Sequence, residues 1–179
     1  MASDATDAVP DTPRATDAGD KSAMIDRIAA FLISIGIDAR EGEIGETTFL
    51  PGIRIDHGAI IFDKERLLYP GDLLHEAGHV AVCAESERMS LFGDIGTGDK
   101  GVSGEEIVAQ LWSYAACLEM GIAPEVVFHE TGYKGASAWI LSNYRRGDYI
   151  GLPLLVWMGL AAPRDEPGGF PAMRKWLRS

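Results

Sequence analysis

Apolar residues first recur with a regular period once the chain reaches Met24. Met24, Ile25, Ile28, Phe31, Leu32 and Ile35 return every three or four positions, which is one face of an α-helix, and Gly36 is a suitable stop. Between residues 41 and 63 the period changes. Thr47, Thr48 and Phe49 precede Pro51-Gly52, and Ile53 and Ile55 face Ile60, Ile61 and Phe62 across Asp56-His57-Gly58. That spacing predicts short antiparallel strands with a turn at His57-Gly58. Tyr69-Pro70-Gly71-Asp72 breaks the pattern, Asp72 is a good N-cap, and a helix is predicted over about residues 73–84. A glycine-rich loop fills 93–104. A further helix starts at Ser103, runs to about Met120 and stops at Gly121, with Pro124 beyond. Shorter helical segments follow around 136–144 and 150–160, and the apolar run 152–160 reads as core. Helices with one small antiparallel sheet predict the α+β class.

The start of the chain differs in composition. Ala, Asp, Thr and Pro dominate the first twenty residues, which offer too little apolar surface to offset the entropy of ordering. Residues 1–21 are therefore expected to be a disordered acidic tail, and 22–179 one domain. The tail has no apolar stretch of the kind a secretory signal needs, and the longest apolar run, 149–162, is too short for a membrane span and contains Pro153. Lys plus Arg number 16 against 27 Asp plus Glu, for a formal charge of −11. A chain that acidic repels phosphate backbones, so nucleic acid is disfavoured as a partner. The two cysteines, Cys83 and Cys117, make no disulfide framework and read as reduced core thiols. A soluble, cytoplasmic protein is expected.

The chemistry lies in Leu73-Leu74-His75-Glu76-Ala77-Gly78-His79. This is H-E-x-x-H on a predicted helix. Positions i and i+4 lie about 40° apart around the axis, so both imidazoles point the same way. Zinc wants converging nitrogen ligands at about 2.0–2.1 Å, and Glu76 can stand beside the metal as a base. A catalytic zinc has three protein ligands and an open position. Glu85 stands where a metzincin continuation would have its third histidine, so that variant is ruled out. The candidate for the third ligand is the segment Glu106-Ile107-Val108-Ala109-Gln110.

These two motifs together resemble the gluzincin branch of zinc metallopeptidases, in which a second helix supplies a glutamate from an E-x-x-A-[D/N] pattern. The short chain, early helix, small sheet and His-Glu-Ala-Gly-His helix are most similar to the ImmA/IrrE-type metallopeptidases, over about residues 24–118. The resemblance implies a zincin-like domain with Zn2+ held by His75, His79 and Glu106, with Glu76 as the catalytic acid/base. It gives Gln110, standing in the place of Asp or Asn, the orientation of a ligand histidine as a neutral group. The implied activity is hydrolysis of a peptide bond in a protein or peptide substrate. In that chemistry the metal lowers the pKa of its bound water, and Glu76 takes the water proton and passes it to the leaving amine. Residues 59–63 would lie beside the cleft and pair with an extended substrate.

Other features compete with this assignment. Glu105 is a rival ligand; it points about 100° away from Glu106 on the same helix, and only Glu106 has a polar residue, Gln110, one turn on. Ser103 and Glu106 also form a capping box, which would use the carboxylate at the helix start. Gly96-Thr97-Gly98-Asp99-Lys100-Gly101 matches a dinucleotide-binding glycine pattern but lacks a clear preceding strand, so a loop over the active site is the better expectation. His129 or Tyr133 could donate a hydrogen bond to the oxyanion of a tetrahedral intermediate. The alternative function is a zinc-binding regulatory or interaction module with little turnover.

Overall fold

The structure, a computed structural model, describes residues 15–45, 48, 50–93 and 104–179. The first helix, α1 (Ala15–Ser34), buries the expected stripe: Ile25, Ile28 and Leu32 are fully buried, with Met24, Phe31 and Ile35 packed against them. Gly36 ends it in the left-handed conformation (φ 94°), and Ile37 N–H donates to Leu32 O at 3.0 Å, closing a Schellman-type end. The helix begins earlier than the apolar stripe does. Residues 15–21, assigned to the tail on composition, belong to α1, and Lys21 Nζ donates to Leu67 O at 2.9 Å. A helix can extend beyond its buried stripe because each added residue completes another backbone hydrogen bond. The rest of the tail, 1–14, lies outside the described residues.

Strands β1 (Ala39–Glu41), β2 (Ile53–Asp56), β3 (Ala59–Phe62) and β4 (Phe92–Gly93) form one sheet in the order β1-β3-β2-β4. The β2–β3 hairpin turns where expected, with His57 and Gly58 both at positive φ (52° and 77°), the pairing a two-residue type I′ turn requires. The sheet is mixed rather than antiparallel, because β1 runs parallel to β3. A three-residue strand is too short to reveal its partner through alternation, and the loop after β1 returns the chain to the far side of the hairpin. β3 is consequently flanked on both sides. The expected pairing of substrate with residues 59–63 is unavailable, since the sheet's outer strands are β1 and β4. Thr47 and Phe49 lie outside the described residues.

Helix α2 (Gly71–Val82) is the centre of the molecule, with every residue except His75 buried. Its N-cap is Pro70, not Asp72; Asp72 sits in the first turn with its carboxylate engaged elsewhere. The helix ends before Cys83, whose backbone is extended (φ −65°, ψ 138°). Cys83 therefore leaves the His75–His79 face and is half-buried. A short α3 (Glu85–Arg88) leads to β4. Residues 94–103, with the glycine pattern and Ser103 of the capping box, lie outside the described residues.

Helix α4 (Gly104–Met120) packs directly on α2. Ser113 Oγ lies 3.1 Å from Leu74 O and 2.8 Å from Ala109 O. A Cβ at Gly78 would stand 2.7 Å from Ala109 O and 3.1 Å from Ser113 Oγ, so the two backbones approach as closely as glycine permits. Gly78→Val should destabilise the fold by about 3 kcal/mol, the upper end of what overpacking costs, because the contact is with a backbone oxygen that cannot rotate away. Urea unfolding at unchanged m-value checks this; a midpoint like wild type would mean the helices sit further apart.

Cys117 on α4 is fully buried, as expected of a core thiol, and burial pushes it up to about 12. Trp112 is wedged edge-on against Trp176 and donates its indole N–H to Trp176 O at 3.0 Å, which ties the end of the chain to the core. Helices α5 (Ser137–Arg146) and α6 (Leu152–Trp157) complete the fold. The run 152–160 is core only in part: Leu155 and Leu160 are buried, whereas Trp157 is 72% exposed. Among the described residues no helix is long and apolar enough to cross a membrane.

Candidate metal centre

His75 and His79 stand on adjacent turns of α2, as i and i+4 positions must. Their rings meet edge-to-face, with centroids 4.8 Å apart, and the two Nε2 atoms are 3.3 Å apart. Glu106, from the first turn of α4, comes to the same point: Oε2 lies 3.2 Å from His79 Nε2 and Oε1 3.7 Å from His75 Nε2. One ligand atom from each residue falls within 4.8 Å of the other two. The close helix packing at Gly78 makes this convergence possible, since the glycine lies between the two histidines on α2 and rests on Ala109, three residues beyond Glu106.

The spacing fits a metal ion. Two ligands bonded to zinc at about 2.0–2.1 Å in a tetrahedron are themselves about 3.3 Å apart. The observed separations of 3.2, 3.3 and 3.7 Å bracket that value. Two imidazoles and one carboxylate are also the donor types that suit zinc and its neighbours rather than calcium or magnesium. This group could hold a metal ion.

Electrostatics follow from the same packing. Burial opposes charge on His75, and with His79 beside it the imidazole is lowered to about 4, despite Glu106. Burial also opposes charge on His79, but the hydrogen bond to Glu106 and the charges of Glu76, Glu106 and Glu105 outweigh it and raise this histidine. Glu106 would be raised by burial; the hydrogen bond with His79, the field of His75 and the Gln110 amide bring it down to about 2. The carboxylate is thus ionised throughout the physiological range, ready for a cation, and a proton competes with that cation at His79.

The carboxylate brought to the histidines is that of Glu106, while Glu105 is exposed and adds only negative charge near His79. Glu76 is buried on α2 beside the pair. Gln110 donates from Nε2 to Glu106 Oε1 at 2.8 Å, so it orients the glutamate and not a histidine. Being neutral, it can donate where an Asp could not, and an acceptor-only side chain would repel Glu106.

The two residues expected as oxyanion donors both have partners within the protein. His129 Nε2 is 3.1 Å from Asp72 Oδ1 and Nδ1 is 3.0 Å from Thr131 Oγ1, so both ring nitrogens have partners. Tyr133 Oη lies 3.1 Å from Nδ1 of His75, on the side of the ring away from Glu106. Burial, with the charges of Glu106 and Asp72 nearby, keeps this phenol far above its usual range and hence neutral. A neutral phenolic oxygen can accept from Nδ1–H, which leaves Nε2 of His75 unprotonated toward Glu106. Asp72 and Tyr69 are the parts of this surround that periodicity misses, because it makes Tyr69 part of a break in the pattern and Asp72 an N-cap. The one signal available was that Asp72 precedes His75 by a single turn.

No family model, curated protein or solved structure matches the chain.

Proposed function

We propose that the chain is a zinc-dependent metallopeptidase of zincin-like architecture, with His75, His79 and Glu106 as the residues that hold the metal. The observation that carries this is the arrival of Glu106 from α4 at the two α2 histidines, with Glu76 buried beside them. Three ligands of this kind are the usual complement of a catalytic zinc, which keeps a fourth position open. Bound there, zinc would supply Lewis acidity and acidify a water molecule. The chain's own residues do the rest. Gln110 holds the Glu106 carboxylate, and Tyr133 fixes the ring of His75. Glu76 accepts a proton from the attacking water and returns it to the departing amine. The substrate is a protein or peptide chain, and the net charge of −11 makes nucleic acid a poor partner.

Purified protein is expected to carry about one zinc per chain. It should cleave members of an unbiased peptide mixture, read by mass spectrometry, with cleavage stopped by a chelator and restored by added zinc. Protein that holds its zinc yet cleaves nothing would favour the regulatory module instead.

A further inference from the structure

Behind His75 lies a turn that is expensive to build. Tyr133 and Lys134 both have left-handed backbones (φ 51° and 55°), followed by Gly135 at φ 82°. A bulky aromatic residue rarely adopts that conformation, and strain of this kind persists only where the surroundings over-determine it. The turn has glycines at 132 and 135, yet the strained position carries the tyrosine whose hydroxyl meets His75 Nδ1.

The surroundings are equally specific. His129 at the start of the turn is clamped to Asp72 on α2, one turn before His75, with Nε2 and Oδ1 3.1 Å apart. Its ring stacks flat on Tyr69, centroids 3.8 Å apart and planes 10° from parallel. Ser137 Oγ donates to His129 O at 2.7 Å, closing the turn from the other end. The Tyr133 ring stacks on Phe128, centroids 5.1 Å apart, and meets the His75 ring edge-to-face at 5.5 Å. The turn is thus anchored to the same helix that carries the histidine it touches.

We infer that Asp72 and His129 are positioning residues for the metal ligand His75, acting through Tyr133: they hold the 129–135 turn in the strained form that sets the Tyr133 hydroxyl on His75 Nδ1. This rests on the metal-centre reading above. Ring orientation and tautomer of a ligand histidine are set by such a partner, and losing it costs about 10–100-fold in metal affinity.

The test is a double-mutant cycle on the full chain, reading Zn2+ affinity by competition with a chromophoric chelator and the visible spectrum of the Co2+-loaded protein. Tyr133→Phe should weaken Zn2+ binding by about 10–100-fold, and His129→Ala by a similar factor. The double variant should lose no more than Tyr133→Phe alone, since the two act in series. Asp72→Ala should lose as much Zn2+ affinity as His129→Ala, whereas Asp72→Asn, which keeps an acceptor for His129, should restore affinity and the Co2+ spectrum towards wild type; an Asp72→Ala chain that binds Zn2+ as wild type does takes Asp72 out of the relay. Losses that simply add, or Tyr133→Phe binding Zn2+ as wild type does, overturn the relay. If wild type itself binds no Zn2+, or His79→Ala binds it equally well, the metal centre falls and the relay with it; intact binding that needs His79 but ignores Tyr133 rejects the relay alone.

Discussion

Glu106→Ala is expected to weaken zinc binding by more than about 100-fold, beyond the range of outer residues, while Glu105→Ala changes it by less than about tenfold. The two glutamates are neighbours in sequence with similar chemistry, so the contrast isolates geometry. Helical rotation of about 100° per residue separates their directions. The structure brings only Glu106 to His75 and His79, at 3.7 and 3.2 Å, and leaves Glu105 exposed. Removing Glu106 deletes a proposed ligand and the carboxylate that Gln110 holds. Removing Glu105 deletes an exposed charge that acts on His79 only through its field, which solvent screens. Glu106→Gln is the companion variant: it keeps the volume and the position on α4 but cannot carry the negative charge that its low pKa, about 2, preserves. Dissociation constants for the three variants decide the matter. Equal small effects, or the reverse ranking, would remove Glu106 from the ligand set.

How much of this was legible in sequence depends on the range of the interaction. Local signals did well. The α1 stripe, the His57-Gly58 turn and the stop of α4 at Gly121 each depend on neighbours within a few residues, and each stands where the pattern puts it. The two histidines were legible for the same reason, since a helix alone aligns i with i+4. Glu106 was accessible through its motif, and its alignment with Gln110 through helical periodicity. Non-local features were not. The parallel pairing of β1 with β3 depends on where a loop returns, which no period in a three-residue strand encodes.

The surround of His75 shows the same limit. As hydrogen-bonding side chains, Tyr133 and His129 are legible in sequence only as candidate oxyanion donors, but their partners are Nδ1 of His75 and the Asp72 carboxylate, dozens of residues away. Asp72 looked like a cap because a helix start explains an aspartate without further information. Its carboxylate instead crosses to another segment, and the cap position goes to Pro70. Gly78 shows the reverse case. Inside a helix it costs stability relative to alanine, so a local account would call it unfavourable. Its reason is the carbonyl of Ala109 on another helix, which leaves no room for a side chain.

Glu76→Gln should leave the zinc content unchanged and lower hydrolysis by about 10²–10⁴-fold, the usual contribution of a positioned general base. Glutamine matches glutamate in shape, so the packing of α2, where this residue is only 6% exposed, is retained. The amide lacks the one property the role needs: it cannot take up a proton at neutral pH. His75, His79 and Glu106 are untouched, so a fall in activity cannot be ascribed to lost metal if elemental analysis finds the same stoichiometry. The effect belongs in kcat more than in KM, because a proton in flight stabilises the transition state and not the bound peptide. Measuring both constants and the metal content on one preparation separates the possibilities. A variant that retains zinc and cleaves a verified peptide as fast as wild type would show that Glu76 is not the base. One that loses its zinc would make Glu76 part of the binding set, and the division of labour between it and Glu106 would have to be redrawn.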